Sequence, residues 1–432
     1  MVIFYTRYIE PMNFEVSVID SVEALEQFVP EWLAFQETEP CGFTAFNDPR
    51  YIIARWKAKN LSPEEESQHA IIIVRDSGKI CCIAPFWSRR DSFPIEFGFK
   101  KVWSIKIRQL ECYGDSFIFC DKGNENNVMF DIVFKTLRQR FPRFDILYMM
   151  DIRLNSPFWD YCNRKRLATG IRVRKTFQTP QTVYRIRLGD SMDALMASLD
   201  KKQRYSVRRT VKRYHEEQSE NCFVKITKPE QVEFLSQAMQ QISSSAWQST
   251  AFGTGSMDSE QNCFFFKELA LQGVLRSYIL QRNGIPIAYR AGIQAGKYFS
   301  AMESRYNRAH YEKLYPGIVC LYKHIEELFQ ENRPEIFDFG LGDYGGYKSV
   351  WANDNIESMT LFLTGSFKGT TIVQTQAIIN SIVTFGKKTL DRFGFKEMIL
   401  NFFKGKLRSS KQTQYETNKS ESEDDSAHPK RA

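Results

Sequence analysis

The chain has 432 residues, 43% hydrophobic and 25% charged, which is enough for two or three domains with real cores and is an ordinary soluble composition. Its net charge of +8 favours anionic partners: phosphate groups, nucleic acid or an acidic membrane surface. The nine cysteines are odd in number and form neither a C-x-x-C nor a Cys/His cluster at zinc spacing, which argues against a disulfide framework and against a metal site.

Most cysteines lie in apolar runs such as KICCIAPFW and read as reduced core residues of a cytosolic protein. No apolar run approaches the roughly 18 residues that span a bilayer. The opening MVIFYTRYIEPMNF lacks a basic n-region and a small-residue cleavage site, so no signal peptide is expected.

In chain order, the first 190 residues alternate strands and helices. NFEVSVID reads as a strand, and Ser21 caps the helix VEALEQFVPEWLAFQ. HAIIIVRD and KICCIAPFW form a hairpin around Ser77-Gly78. NVMFDIVFKTLRQRF is helical, FDILYMMDI a buried strand, and SPFWDYCNRKR a short helix; IRVRKTF and TVYRIRL are strands. SMDALMASLDKKQRYSVRRTVKRYHEE then reads as one long helix, followed by helices over KPEQVEFLSQAMQQISSSAW and NCFFFKELALQ. LRSYILQR, PIAYRAGIQ and YFSAMESRY form a meander through Asn283-Gly284 and Ala295-Gly296-Lys297. A helix from Pro316 follows, then the strand EIFDFG, the loop LGDYGG, YKSVWAN and a last strand SMTLFLT. The two Gly-turn hairpins echo each other and, with the matching element order, suggest two copies of one α/β fold.

The expected division is an N-terminal half over 1–189, a C-terminal half over 190–366, amphipathic basic helices over 367–408 interrupted at Gly386 and Gly394, and a disordered polar tail over 409–432. The 367–408 segment mixes aromatic, apolar and basic residues. It suits either packing on the preceding domain or peripheral contact with an anionic membrane.

Two stretches point to anion binding. In LYPGIVCLYKHIEELFQ the apolar residues fall on one helical face. Pro316 suits a helix start, Gly317 permits a close approach, and the first-turn amides of Gly317, Ile318 and Val319 form a phosphate site at the positive end of the dipole. The plainer reading is that Pro-Gly only turns the chain. KKQRYSVRRTVKRY has no acid and puts Lys201, Arg204, Arg208 and Lys212 on a broad basic side, opposite Val207, Val211 and Tyr214. It is either a solvated face or a site for a phosphorylated carrier, a cofactor phosphate or tRNA.

The second unit then presents, in order, the basic helix, Trp247, NGIPIAYRAGI, YFSAMESRYN, the YPG helix and DFGLGDYGGYKSVWA. This set resembles the GNAT acyltransferase superfamily. The nearest subgroup is the CelD-type proteins associated with bacterial exopolysaccharide synthesis, themselves similar to the Fem aminoacyltransferases. The resemblance covers about Asp190 to Thr364 well and the N-terminal half more loosely. It implies mixed α/β tandem GNAT-like domains with C-terminal helices, and an acyltransferase using acetyl-CoA or another acyl-CoA and no metal. It also implies a small or carrier-linked amine or hydroxyl acceptor. The Fem likeness keeps an aminoacyl-tRNA donor open, and a catalytically inactive scaffold is the non-enzyme alternative. The cofactor pyrophosphate would sit on Gly317, Ile318 and Val319, although the loop departs from the usual Q/R-x-x-G-x-G/A and Pro316 has no N–H to donate. A direct attack on the acyl carbonyl needs a base and an acid. Glu303 or Asp343 are the expected bases, and Tyr306 and Tyr315 the expected acids; each Tyr is equally a core residue. Arg204, Arg208, Trp247, Asp338 and Lys348 are expected to contact substrate. Asp338 alternatively partners a backbone turn, and Lys348 a nearby aspartate. The expected location is cytoplasmic, with the inner membrane face as the peripheral option.

Overall fold

The computed structural model describes residues 3–5, 14–61, 67–97, 100–114, 117–163, 167, 170–175, 180–217, 222–245, 260–307, 314–342 and 346–392. They divide into two compact units, Met1–Phe93 with Ile105–Val373, and Pro94–Ser104 with Gln374–Ala432. Among the described residues no helix is long and apolar enough to cross a membrane.

The first half opens with β1 (Ile3–Tyr5), β2 (Phe14–Ile19), α1 (Val22–Gln36) and α2 (Pro49–Asn60). The Ser21 hydroxyl accepts the Ala24 amide at 3.3 Å, the expected cap of α1. β3 (Gln68–Asp76) and β4 (Lys79–Phe97) form the expected hairpin, with Ser77 and Gly78 both at positive φ, 51° and 78°. β5 (Lys100–Cys112), β6 (Ile118–Phe119), α3 (Asn126–Arg140), β7 (Ile146–Arg153), α4 (Pro157–Cys162), β8 (Arg172–Lys175) and β9 (Gln181–Arg187) follow. α3 and α4 cover one sheet face with a buried aromatic group, Phe117, Phe130, Phe134, Phe158 and Tyr161, and burial of each ring is worth about 2–3 kcal/mol. Tyr161 is held further by its hydroxyl, which donates to Asp131 at 2.6 Å.

The second half comprises α5 (Met192–Ser198), α6 (Lys201–Glu217), β10 (Phe223–Ile226), α7 (Val232–Ser245), α8 (Glu260–Leu271), β11 (Ser277–Arg282), β12 (Ile285–Ala295), β13 (Tyr298–Tyr306), α9 (Pro316–Gln330), β14 (Ile336–Gly342), α10 (Tyr347–Trp351) and β15 (Asp354–Thr364). The single helix expected from Ser191 is instead two. Leu199 turns extended at ψ 149°, and Asp200 starts α6 afresh by accepting the Gln203 amide at 2.9 Å. The competing principle is side-chain capping, which ends one helix and opens another inside an otherwise helical pattern. α11 (Phe367–Arg392) runs unbroken through Gly386, so that glycine does not interrupt it; Gly394 and the tail lie outside the described residues. One interior glycine costs about 1 kcal/mol, too little to stop a helix of this length.

The strands form one sheet in the order β1-β2-β3-β4-β5-β7-β15-β9-β14-β13-β12-β11-β10, with β6 on β4 and β8 on β15. Each half contains one short parallel ladder. β5 meets β7 over Gln109–Glu111 and Ile146–Tyr148, and β13 meets β14 over Tyr298–Ser300 and Ile336–Asp338. The halves exchange their closing strands. β9, which precedes the second half in sequence, pairs with β14, and β15 ends against β7 of the first half. β15 also pairs with β9 over Asp354–Ser358, which joins the two halves into one continuous sheet.

In the second unit, the Gln376 side chain bonds both backbone groups of Glu96, at 2.8 and 2.9 Å. Phe97, Val102, Trp103, Ile378, Ile382 and Phe385 are exposed there.

Candidate active site

Each parallel ladder has three register pairs and then ends, because the second strand bulges against its antiparallel partner. On β14, Phe339 and Gly340 stand opposite Tyr184 alone; on β7, Met150 and Asp151 stand opposite Thr360 alone. The bulges place Asp338 and Asp151 in the wall of one cavity of about 270 Å³ inside the first unit. Arg153, Arg185, Ala301, Gly340 and, from the loop after α1, Cys41 and Thr44 complete the wall relevant to charge and access.

The two carboxyls are held differently. Asp338 is buried and accepts the Gly340 amide at 2.6 Å. Burial raises its pKa, against the pull of that amide and of Arg185, Arg153 and Lys348. Asp151 sits at φ 51°. Burial and then the Asp338 charge push its pKa up from 3.8 to about 6, with the Ser358 hydroxyl and Lys348 opposing. Arg185 is buried and fixed to Asp354 at 2.6 Å, so it is a standing positive charge in the wall.

Among the residues singled out from sequence, Asp338 lies in this cavity, and its bond to Gly340 also makes it the turn partner that was the alternative. Asp343 and Trp247 lie outside the described residues. The remaining strand residues separate by face. Opposed residues of an antiparallel ladder share a face. Glu303, opposite Ala291, and Arg305, opposite Tyr289, therefore lie on the α7–α8 face. Ser304, opposite Arg290, and Tyr306, opposite Ala288, lie on the α9 face. Glu303 is tied to Arg305 at 2.7 Å, both nearly buried. The expected acids and the expected base Glu303 are thus on opposite sides of β13.

On the α9 face the helix mouth differs from expectation. Tyr315 adopts a left-handed conformation, φ 45°, and its carbonyl accepts the amides of Ile318 at 2.9 Å and Val319 at 3.3 Å. Of the three expected donors, only Gly317 keeps an amide without such an acceptor among the described residues. The Tyr306 ring lies over it, 3.1 Å from where a Cβ would stand. Residues 308–313, which lead into this mouth, lie outside the described residues. Beside this mouth, α6 packs Val207 and Val211 into the same cluster as Leu321 and Ile325 of α9. Its basic side faces out: Arg208 is 60% exposed and lies 3.9 Å from an exposed Asp193, while Arg204 donates to the Ala197 carbonyl at 3.3 Å.

Among the described residues Lys348 forms no ion pair with an aspartate, and Asp343 lies outside them. Lys348 donates to the Phe339 and Leu341 carbonyls at 2.7 and 2.5 Å, bracing β14 where it leaves β13. Burial and Arg290 lower its pKa. Tyr347, on the first turn of α10 and not singled out from sequence, has its hydroxyl 3.5 Å from that of Ser304. Desolvation of its hydroxyl opposes ionisation, but Arg290, the Ser304 hydroxyl and Lys348 outweigh it and bring the phenol below its ordinary value. Asp151, Arg153 and Arg185 were also missed.

Residues 201–349 match the family described as an acetyltransferase (GNAT) domain. The fold is similar to FemX, with a TM-score of 0.52 at 10% identity over 75% of this chain and 93% of that one. A conserved protein of unknown function from Bacteroides thetaiotaomicron VPI-5482 gives 0.50 at 11% identity over 84% and 100%. A tandem GNAT protein from the clavulanic acid biosynthesis pathway gives 0.45 at 10% over 82% and 99%. No curated protein matches the sequence. These likenesses are of fold. The domain match over residues 201–349 supports a transferase, carried on a mixed α/β sheet.

Proposed function

We propose that the chain transfers an acyl group to an amine or hydroxyl held in the cavity shared by the two halves, with Asp151 as the base. The observation that carries this reading is the Asp151–Asp338 pair, one carboxyl from each half, beside the point where β13 and β14 part. The acceptor heteroatom attacks the donor carbonyl while Asp151 takes its proton. The acyl bond to the leaving group then breaks, and Tyr347 protonates that group across the gap between the strands. Burial first, and then the charge of Asp338 as a positioning residue, keep Asp151 poised near neutrality. A base with a pKa near the working pH combines availability with driving force.

Acyl-CoA is the donor favoured by the GNAT domain match. A second reading, an aminoacyl-tRNA donor, is favoured by the exposed basic side of α6, whose other side packs on α9. The CelD-like resemblance points to a sugar- or envelope-related acceptor at the inner membrane face. Ile372 and Val373 are buried, so the start of α11 belongs to the folded core, and any membrane contact falls to later residues. Calorimetry with acetyl-CoA and with aminoacyl-tRNA separates the donors. Binding of neither, with no acyl transfer to amine or hydroxyl sugars, sinks the proposal.

A further inference from the structure

The first half has a charged recess that acyl transfer does not use. Two adjoining cavities, of about 250 and 680 Å³, share Arg90, Arg108 and Arg143 in their walls, and Lys106 lines the larger. These cations come from β4, β5 and the loop between α3 and β7. The recess lies at the Asp145 end of β7, six residues before Asp151, and so roughly 20 Å from the acid pair along the strand.

The second half supplies an internal control. Arg108 and Lys297 occupy the same place in the two halves. The Asp145 amide donates to the Arg108 carbonyl at 2.9 Å, and the Glu335 amide donates to the Lys297 carbonyl at 2.8 Å. Lys297 is neutralised by Glu39 at 2.7 Å and Glu335 at 3.1 Å. Asp145, the counterpart of Glu335, instead turns its carboxylate to the Arg108 backbone amide at 3.0 Å and the Ser366 hydroxyl at 2.6 Å. Asp91 goes to Arg89 at 2.6 Å, and Arg89 also takes Glu111 at 2.8 Å. Among the described residues no carboxylate pairs with Arg108, Arg143 or Lys106. One half quenches its cation, and the other leaves several together, facing a recess.

We propose that this recess binds phosphate groups, a diphosphate or two adjacent phosphate esters, with Arg108 and Arg143 as principal donors. Guanidinium forks match phosphate oxygens in bidentate fashion, and an anion relieves the repulsion among the cations. The phosphates belong either to a soluble ester or to an anionic lipid headgroup. The test uses the full chain, with inorganic pyrophosphate in calorimetry and vesicles of phosphatidylglycerol in phosphatidylcholine in flotation. The variants are Arg108→Gln with Arg143→Gln, Arg143→Gln alone on its exposed loop, and Lys297→Gln as control. Pyrophosphate affinity reduced at least tenfold in the double variant, less in the single and not in the control, supports a soluble ester. Flotation of the native chain lost in the double variant, without pyrophosphate binding, supports a headgroup. If the native chain binds neither probe, or the double variant binds both as well as it does, the proposal is overturned.

Discussion

The residue that takes positive φ in the strand bulge is Gly340 in the second half and Asp151 in the first, at 69° and 51°. Glycine adopts that conformation at little cost, whereas a residue with a Cβ gives up on the order of 1–3 kcal/mol. Both bulges follow a three-pair parallel ladder and both open on one cavity. The second half places its carboxyl two residues earlier, at Asp338, where the Gly340 amide holds it. The first half puts its carboxyl on the strained position itself, next to that fixed charge. A repeated framework thus carries two chemically different acids: one anchored by an amide, and one kept proton-accepting by burial and by its twin.

The largest expected effect breaks the pair at its reactive member. Asp151→Asn keeps the shape and removes the base, so kcat/KM should fall by about 10²- to 10⁴-fold with the fold intact by circular dichroism. A loss under threefold would move the base elsewhere, with Glu303 the next candidate. A second test concerns the helix beside the donor mouth. Arg204→Glu with Arg208→Glu should weaken a tRNA donor and cut the slope of log affinity against log salt by about 2, while leaving a CoA affinity little changed. Unaltered tRNA binding returns α6 to the role of a solvated face.

A smaller effect exchanges the bulge residues. Asp151→Gly should stabilise the chain at pH 7 by on the order of 1–3 kcal/mol, from relief of strain and of a buried charge. The sign follows from proton uptake. With its pKa raised to about 6, Asp151 binds more protons folded than unfolded between about pH 4 and 6, so native stability falls as pH rises through that window. The variant should lose that fall. Gly340→Asp should destabilise, and a neutral or stabilising result in denaturant unfolding would remove the distinction between the bulges. The smallest effect is at the helix mouth. Gly317→Ala brings a methyl to 3.1 Å from the Tyr306 ring and should cost about 1 kcal/mol in chemical denaturation. No change would mean that the ring yields freely.

Much of this arrangement was legible in the sequence because local chemistry fixed it. Ser21, Ser77-Gly78 and Asn283-Gly284 did what capping and turn rules require. The hairpin echo correctly indicated two halves of like wiring. The strand exchange was not legible, since nothing local in TVYRIRL or SMTLFLT records which β-edge each will join. Asp338 was singled out in IFDFG, with a backbone turn as its alternative partner. Asp151 was hidden inside an apolar strand pattern, and its role arises only where a bulge turns it toward the other half. The left-handed turn at Tyr315, which delivers its carbonyl to the amides of Ile318 and Val319, was not legible, because no glycine announces it.

The pH dependence of kcat/KM in the native chain and in Asp338→Asn tests the acid pair most directly. An acid limb near pH 6 is expected in the native chain. In the variant the limb should move down toward the ordinary carboxylate range, because the like charge that helps hold Asp151 up is gone while its burial remains. An acid limb at the same pH in both, or none in either, would contradict the claim that the two halves share one titrating pair.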